Sequence, residues 1–506
     1  MKKWISIVLL LCLLLCSCGI VHDGGLESHC DGNHADVNYN GECDYCGESV
    51  MTTFDFYSIN DLHGKLVDGE NHPGVDELTT FLKNAKLSDD NPIFLSAGDM
   101  WQGAAESNLT QGLIMTDWMN EMGFAAMTLG NHEFDWGEDA IAENAELAEF
   151  PFLAINVYDR TTNSLVDYCQ SSVVVEADGI QIGIIGAIGD CYSSISSDKV
   201  ENVYFKTGRD LTQLVKDEST RLRTEEGVDF VVYVIHDGYG SNGSTSGALL
   251  SPGQLSSYYD ISLSDGYVNL VFEGHTHKGY LAMDASGVYH LQNRGDNQGG
   301  ISHVEIAINT VTGSFEVTEK ELIPTSKYSS LSDDKLIQDL LEKYKDQVSQ
   351  AEKVVGLNGA FRNSTYLRNA VAQLYYEFGK KEWGDQYEIT LGGGFISIRS
   401  PYDLPKGEVT YGQLQSLFPF DNDLVLCSIK GSDLNRKFIN TNNSNYFISG
   451  NGTLMSQIDP DKTYYIVVDT YTAYYAPNRL TIVEQYQTGF YARDLLADYI
   501  GQGGMQ

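Results

Sequence analysis

Five short segments of the chain end stretches of β-forming residues with side chains that could bind metal ions. They are residues 60–64, 98–99, 130–135, 236–238 and 273–277. Two of their aspartates, one asparagine amide and several histidines would supply oxygen and nitrogen ligands that borderline divalent cations accept. Five of the eleven histidines, His63, His132, His236, His275 and His277, lie in these segments. This combination predicts a two-metal centre of the kind that catalyses hydrolysis.

The spacing of these residues fits such a centre. In Asp61-x-His63 and His275-x-His277, the two side chains stand two positions apart and would point the same way at a strand end. Asp99 could bridge two ions about 3.5–4 Å apart. Glycines next to the predicted ligands would permit tight turns and close backbone approach.

The elements that must position these residues alternate along the first half of the chain. Predicted strands cover 54–59, 93–96, 125–129, 180–188, 230–235 and 268–272, and predicted helices include 75–86, 113–122 and 210–225. Alternating strands and helices predict a layered α/β fold. In such sheets ligands gather beyond the carboxyl ends of the strands, so the five segments should converge.

Composition suggests further boundaries. We expect a signal peptide at 1–18, a tether at 19–50, a metal domain at 51–325, a linker at 326–353 and a second domain at 354–506. Within the linker, an apolar stripe after an aspartate cap predicts one helix over residues 329–353. The second domain holds a glycine-rich turn and many tyrosines and phenylalanines.

The ordered motifs Asp-x-His, Gly-Asp, Gly-Asn-His-Glu, His and Gly-His-Thr-His resemble those of the calcineurin-like metallophosphoesterases. The longer sequence motifs, including residues 98–103, 129–135 and 407–412, resemble those of the secreted 5′-nucleotidase family. That family includes 2′,3′-cyclic-nucleotide phosphodiesterases. The resemblance implies a four-layer α/β/β/α metal domain followed by a smaller α/β C-terminal domain that selects the substrate.

The resemblance also implies a role for each matching residue. Asp61, His63, Asp99 and His277 would hold one divalent ion, zinc, manganese or a similar metal, and Asp99, Asn131, His236 and His275 would hold the other. Many members have glutamine where His277 stands, so this ligand could alter metal preference. His132 matches the catalytic histidine and Asp135 the carboxylate that orients it, although Asp135 could instead be an ordinary helix N-cap.

The second domain departs from the family pattern where the substrate would be chosen. Leu391 precedes the Gly392–Gly394 run in place of the usual asparagine, and Arg399 is a shifted candidate for an anion clamp. The turn after Tyr471 lacks the family's glycines. Tyr471 and either Tyr446 or Phe447 are the candidate rings for stacking on a nucleobase, although any of these four side chains could be a surface or core residue.

The N-terminal residues predict export. Lys2 and Lys3 precede about a dozen apolar residues, too few to span a bilayer. Residues 15–18 look like a bacterial lipobox, which implies lipid attachment at Cys18 on the extracellular face of the membrane. In the tether, Cys30, His34, Cys43 and Cys46 could form a structural zinc site, while residues 36–41 resemble half a calcium loop. The pairing of Cys169 with Cys191 is undetermined.

A formal net charge of −38 argues against a nucleic-acid partner, which requires a basic surface. We therefore expect a monomeric, lipid-anchored hydrolase that releases phosphate from nucleoside 5′-monophosphates or related nucleotides. The alternatives are a 2′,3′-cyclic-nucleotide phosphodiesterase, a phosphatase for a non-nucleotide ester, and a surface binding protein without turnover.

Overall fold

The computed structural model describes residues 34–68, 73–238, 266–284, 287–295, 298–399, 401–442, 444–475, 478 and 480–506. The predicted export signal, Cys18 and Cys30 lie outside the described residues. The chain divides into a small unit, residues 1–51 and 308–314, and a large unit, residues 52–307 and 315–506. Within the described ranges, every helix is too short or too polar to cross a membrane.

Two six-stranded sheets form the first domain. Their strand orders are β14-β13-β1-β2-β3-β4 and β11-β12-β10-β9-β7-β6, and β5 pairs with β8 in a separate ribbon. The strands are β1 (Met51–Ile59), β2 (Pro92–Ser96), β3 (Ala126–Thr128), β4 (Phe152–Leu153), β5 (Val157–Asp159), β6 (Ser172–Ala177), β7 (Ile180–Ile188), β8 (Val203–Phe205), β9 (Phe230–His236), β10 (Leu270–Glu273), β11 (Tyr280–Met283), β12 (Tyr289–Gln292), β13 (Ile301–Asn309) and β14 (Phe315–Ile323).

Helices cover the outer faces of the two sheets. They are α1 (Asp76–Ser88), α2 (Ala105–Leu109), α3 (Leu113–Met122), α4 (Glu138–Leu147) and α5 (Arg209–Glu225). Between the sheets, the ring of Phe56 on β1 lies 6.1 Å from that of Phe230 on β9. Leu82 and Trp118 pack with Phe94 on one outer face, and Val215 packs with Tyr233 on the other. This arrangement is the predicted four-layer α/β/β/α fold.

The central strands of both sheets are parallel, and their carboxyl ends therefore meet along shared edges. The strands β1, β2, β3 and β4 are parallel neighbours, as are β7, β9, β10 and β12. Every predicted strand of this region is present, with ends that differ by up to three residues. The five predicted ligand segments follow β1, β2, β3, β9 and β10.

The single linker helix predicted over residues 329–353 is wrong. The structure has α6 (Lys335–Lys343), α7 (Lys345–Val348) and a 3₁₀ turn at Ser349–Glu352. Asp334 caps α6, because its side chain accepts a hydrogen bond from the backbone N–H of Leu336. Tyr344 interrupts the helix, and its buried hydroxyl donates to Asp117 at 2.8 Å. This tertiary contact overrides the helical periodicity.

The second domain is built around a five-stranded sheet of order β19-β16-β20-β18-β21. The strands of this sheet are β16 (Ile389–Phe395), β18 (Leu424–Lys430), β19 (Tyr446–Gly450), β20 (Thr463–Asp469) and β21 (Thr481–Gln485). A separate two-stranded sheet pairs β15 (Val354–Asn358) with β17 (Gly407–Thr410). The α-helices of the second domain are α8 (Ser364–Glu382), α9 (Tyr411–Leu417), α10 (Gly431–Leu434), α11 (Gly452–Met455), α12 (Thr470–Tyr474) and α13 (Ala492–Gly501), and a π-helical turn spans Asn435–Ile439. Leu367 of α8 and Leu496 of α13 contribute to the apolar core on one side of the sheet, and Leu434 contributes to that on the other.

The described part of the small unit is a short hairpin held to the turn at residues 308–314. Glu42 and Ser49 form an antiparallel bridge. The backbone N–H of Thr310 donates to the carbonyl of Val50 at 2.8 Å, and the amide of Asn309 donates to Asp36 at 2.6 Å.

Candidate active site

The predicted metal ligands converge at the strand ends of the first domain. Donor atoms of Asp61, His63 and His277 lie within 4.8 Å of one another, and those of Asp61, Asp99 and His236 do so as well. The His236 Nε2 atom lies 3.1 Å from Asp99 Oδ2, and the ring of His275 packs against that of His236. Because Asp61 belongs to both groups, the geometry makes Asp61 as well as Asp99 a candidate bridging ligand.

Backbone carbonyls fix the orientation of two of these histidine rings. The Nδ1 atom of His63 donates to the carbonyl of Gln102 at 2.9 Å, and that of His236 donates to Ala97 at 2.6 Å. With the proton held at Nδ1, Nε2 is the atom turned toward the cluster, as metal-binding histidines require. The Nε2 of His63 accordingly lies 3.0 Å from that of His277.

Five predicted ligands occupy the left-handed region of backbone conformation, which residues other than glycine seldom adopt. They are Asp61, His63, Asp99, His275 and His277, with φ between 52° and 74°. Such conformations cost of order 1–3 kcal/mol each and concentrate at functional sites. The adjacent Gly98 also has a positive φ, 87°, and a Cβ there would lie 2.7 Å from His236 Nδ1.

Glu133 holds this arrangement together, and the sequence did not reveal its role. Its buried carboxylate accepts backbone N–H groups from Asp99 at 2.9 Å, Met100 at 2.8 Å and Gly130 at 2.7 Å. Burial, followed by the charge of Asp99, raises the pKa of Glu133 to about 7. Its position inside the Gly-Asn-His-Glu motif was the available signal.

Cys191 was also missed. Its sulfur lies within 4.8 Å of donor atoms of His236 and His275. Burial raises the pKa of this thiol far above its ordinary value, so Cys191 is a neutral wall of the site rather than a thiolate. Both Cys191 and Cys169 are buried and free, and so are not paired with each other.

The electrostatics of the cluster favour a bound cation. Although burial opposes ionisation of Asp61, the charge and hydrogen bond of His277 together with the charge of His236 outweigh it and lower the pKa of Asp61 to about 2. Burial likewise opposes protonation of His236, but Asp99 raises its pKa to about 10. The carboxylates thus draw positive charge onto His236, and a divalent ion would replace that charge.

The donor set fits divalent metal ions. Carboxylate oxygens and imidazole nitrogens surround one small volume, and both types suit borderline metals. Asn131 Oδ1 is buried and makes no hydrogen bond within the described part of the chain. A buried oxygen acceptor without a hydrogen-bond donor destabilises the folded state unless a bound cation satisfies it.

Beside the metal ligands, His132 connects the first domain to the second. Its Nδ1 lies 2.8 Å from Asp135 Oδ2, its Nε2 lies 2.6 Å from Arg399 Nη2, and its backbone N–H donates to Asp99. Because a guanidinium can only donate, Nε2 accepts and the ring proton resides on Nδ1. The helix-cap alternative for Asp135 is not what the structure shows, since Gly137 is the N-cap of α4.

A cleft of about 320 Å³ lies between the metal ligands and the second domain. Asn131, His132, Asp135 and His275 line it from the first domain. Arg399, Phe395, Phe420 and Tyr471 line it from the second. Two cationic side chains, Arg399 and Lys199, are among the described lining residues and could attract an anion despite the acidic chain.

The stacking partner of Tyr471 differs from the prediction. Neither Tyr446 nor Phe447 is among the described residues that line the cleft, and Phe395 faces Tyr471 instead, with ring centroids 5.5 Å apart. The hydroxyl of Tyr446 accepts a hydrogen bond from Asn478, and the ring of Phe447 packs into the core and against Arg368. Both rings therefore act in packing.

The glycine run explains how Phe395 reaches this position. At Gly394, where φ is 149°, a Cβ would lie 2.5 Å from the side chain of Thr472. The backbone N–H of Phe395 in turn donates to the Thr472 hydroxyl at 3.1 Å. The end of β16 can thus lie directly against α12, which carries Tyr471.

Within the small unit, His34, Cys43 and Cys46, three of the four predicted zinc ligands, lie close together. The fourth, Cys30, lies outside the described residues.

Comparison with known proteins assigns a family to each of the two domains. Residues 54–279 match the calcineurin-like phosphoesterase model, and residues 347–451 match the model of the 5′-nucleotidase C-terminal domain. The chain is 32% identical over 231 residues to an apyrase from Tabanus yao, a match that covers 43% of this chain and 38% of that protein. The chain therefore spans less than half the length of that relative.

Two further proteins are similar over most of the chain. Protein UshA from Yersinia enterocolitica is 23% identical over 471 residues, which cover 81% of this chain and 82% of that protein. The crystal structure of a 5′-nucleotidase precursor from Thermus thermophilus superposes with a TM-score of 0.65 at 20% identity, covering 89% of this chain and 96% of that one. This likeness shows a shared fold.

The first domain is therefore a calcineurin-like phosphoesterase domain, a type of domain that uses divalent metal ions. The second domain is a 5′-nucleotidase C-terminal domain, so the chain has the two-domain fold of the 5′-nucleotidase structure that it superposes on. The resemblance and the fold predicted from sequence are thereby confirmed.

Proposed function

We propose that the chain is a phosphomonoesterase that releases phosphate from nucleoside 5′-monophosphates or related nucleotides, with two divalent ions such as zinc or manganese. One observation supports this most strongly. A single cleft joins His132 and the metal ligands to Arg399 and the aromatic rings of the second domain. Such a cleft could hold a phosphate at one end and a flat base at the other.

Asp61, His63, Asp99 and His277 would hold one ion, and Asp99, Asn131, His236 and His275 the other, with Asp61 a second candidate for the shared position. When bound, the ions would polarise the phosphoryl oxygens and activate a water molecule. The chain's own residues position the ester. Arg399 would bind its phosphoryl oxygens, since a guanidinium presents several N–H donors in one plane.

His132 would act on the phosphate and its leaving group. Asp135 holds the proton on Nδ1 and stabilises the ring if it becomes charged. The Nε2 atom lies at the cleft beside Arg399. Protonation of Nε2, which would displace the Arg399 contact, would let the ring stabilise developing charge or carry a proton to the departing alkoxide.

A second candidate activity rests on the aromatic residues. Phe395, Tyr471 and Tyr475 form a three-ring cluster with centroids 5.5–6.4 Å apart, which is the spacing of rings in direct contact. A base therefore cannot lie between Phe395 and Tyr471 as they stand, and would stack on an outer face of the cluster. Because the rings leave no slot for a base between them, the alternative substrate is a cyclic-nucleotide diester or a non-nucleotide ester.

A phosphate-release screen tests the proposal. The purified protein, loaded with zinc or manganese, would be assayed on AMP, UMP, 2′,3′-cyclic AMP, sugar phosphates and polyphosphate. We expect the highest kcat/KM on the 5′-monophosphates. A preference for sugar phosphates or polyphosphate would contradict the nucleotide assignment, and no turnover of any ester would favour the binding-protein alternative.

We also propose an extracellular location with a lipid anchor at Cys18, a monomeric state and no nucleic-acid partner. The apolar segment and the lipobox-like residues 15–18 support the first of these, and the net charge supports the last. Fractionation of producing cells should find the protein in membranes with a mature N-terminus at Cys18. Release into the medium with a different N-terminus would contradict the anchor.

A further inference from the structure

The small unit contains a second group of metal-binding side chains, of a different chemical type from the catalytic cluster. The catalytic ligands offer only nitrogen and oxygen, whereas this group offers His34 nitrogen and the sulfurs of Cys43 and Cys46. The three donor atoms lie within 4.8 Å of one another, and His34 Nδ1 lies 3.7 Å from Cys46 Sγ. Three such donors around one point form most of a tetrahedral site.

The backbone is folded around the sulfur of Cys43. Cys43 is 2% exposed, and the backbone N–H groups of Ala35, Tyr45 and Cys46 donate hydrogen bonds to its side chain. The turn closes with the N–H of Gly47 donating to the Cys43 carbonyl at 2.8 Å. Gly47 has a φ of 75°, which the Cys-x-x-Cys-Gly order supplies without strain.

The oxygen-rich side of the same loop does not offer a comparable site. Asp36 already accepts the backbone N–H groups of Asn40 at 3.0 Å and Gly41 at 2.9 Å, as well as the Asn309 amide. Asp44 accepts from Val37 at 2.7 Å and Asn38 at 2.6 Å. These contacts use the carboxylates to shape the loop, so the calcium-loop alternative is disfavoured.

We propose that His34, Cys43 and Cys46 bind a structural zinc ion, leaving one tetrahedral position for a further ligand. Mixed imidazole and thiolate donors select zinc over calcium or magnesium. The ion would stabilise the described hairpin, where Cys43 and Val50 are the buried apolar side chains. So small a unit ordinarily needs such a cross-link to fold. This proposal does not depend on the catalytic activity.

Cobalt substitution of the full-length protein tests it. Thiolate ligands give Co²⁺ a strong near-ultraviolet charge-transfer band, which nitrogen and oxygen ligands do not. We expect this band in the wild-type protein and its loss in a Cys43→Ser, Cys46→Ser double variant. Cys427→Ser, which removes a buried sulfur of the second domain, is the matched control and should retain the band.

Metal content and the protection of residues 34–50 from hydrogen exchange are two independent measurements of this site. Zinc-loaded wild-type protein should contain one equivalent more than the double variant, and both should hydrolyse p-nitrophenyl phosphate within twofold of each other. A chelator that strips this ion should raise hydrogen exchange over residues 34–50. Should the double variant fail to fold, His34→Ala keeps both sulfurs and should shift the cobalt band.

Three results would overturn the proposal. The first is a charge-transfer band that survives in the double variant. The second is wild-type protein with titratable thiols at Cys43 and Cys46 but no band. The third is a disulfide at either cysteine in protein purified without reductant, which would make the cluster a covalent staple instead.

Discussion

Asp61 and Asp99 are the two carboxylates that could bridge the two proposed ions. Both are buried, both have left-handed backbone conformations, and both lie within reach of His236. Their environment differs, because Asp99 also accepts the backbone N–H of His132 at 2.9 Å. Asp99 therefore couples metal binding to the position of the proposed catalytic histidine.

We predict that Asp99→Ala loses both metal ions and essentially all turnover. Removing a bridging carboxylate deprives both ions of a charged ligand and leaves His132 without its backbone contact. Metal analysis and p-nitrophenyl phosphate hydrolysis would measure this. The exposed Asp339→Ala is the control and should keep both ions. Two full metal equivalents in Asp99→Ala, beyond any zinc bound by Cys43 and Cys46, would move the bridging role to Asp61.

At the scale of single residues, the sequence predicted the ligands better than the groups that hold them. Asp61, His63 and His277 could be found because few residue types bind metals and their spacing is regular. Glu133 could not be assigned, because its function is to accept backbone N–H groups from a segment more than thirty residues away. Phe395 was missed for a related reason, since only the folded glycine run brings it beside Tyr471.

At the scale of elements, a buried ionic triad ties together the strands behind the proposed site. His290 on β12 lies 2.8 Å from Glu273 at the end of β10 and 3.5 Å from Asp284 after β11. Burial opposes protonation of His290, but Asp284 and Glu273 together raise its pKa to about 9. The charged imidazole is therefore the stabilising form.

This triad predicts a pH dependence of stability. Because the folded-state pKa of about 9 exceeds the ordinary value of 6.5, the stabilisation is fully present below pH 6.5 and is lost as pH rises through about 9. Its upper bound is about 3 kcal/mol. Urea unfolding of wild type and His290→Gln should give a stability difference that shrinks between pH 7 and pH 10. A constant difference would contradict the triad's role.

Element types could be predicted from periodicity, and element ends and interruptions could not. The buried parallel strands are continuous apolar runs, which makes them easy to recognise. The break at Tyr344 depends on Asp117, which is distant in sequence. The domain boundaries at residues 325 and 353 remain a prediction that limited proteolysis would test.

At the scale of the whole molecule, an ion pair within the second domain holds a carboxylate that the first domain also contacts. Arg493 of α13 donates to Asp421, and Asp421 also accepts the Trp136 indole N–H of the first domain at 3.2 Å. Arg493 donates further to the carbonyls of Phe418 and Phe420, both at 3.3 Å. These contacts hold the segment that carries Phe420 at the edge of the cleft.

We predict that Asp421→Ala lowers the free energy of unfolding by roughly 3–5 kcal/mol, because it leaves the Arg493 charge buried and unpaired. Denaturant unfolding would measure the change. Asp433→Ala breaks a surface pair with Arg436 and should cost less than about 1 kcal/mol. Equal losses in the two variants would show that the Asp421 contact does not stabilise the domain arrangement.

We propose that the first domain acts on the phosphate and that the second domain recognises the rest of the substrate. One comparison of variants tests this division directly. Rates of phosphate release from AMP and from p-nitrophenyl phosphate would be measured for wild type, His132→Ala and Tyr471→Ala, with Tyr446→Phe as a packing control. His132→Ala should lower kcat on both esters by about 10²-fold or more, because it removes transition-state stabilisation at phosphorus.

Tyr471→Ala should lower kcat/KM on AMP by an amount equivalent to about 1–3 kcal/mol of lost transition-state stabilisation, which is the contribution of a stacked base. The same variant should leave kcat/KM on p-nitrophenyl phosphate nearly unchanged. Equal losses on both esters for Tyr471→Ala would show that the ring only packs, and would contradict the assignment of the second domain to nucleotide recognition.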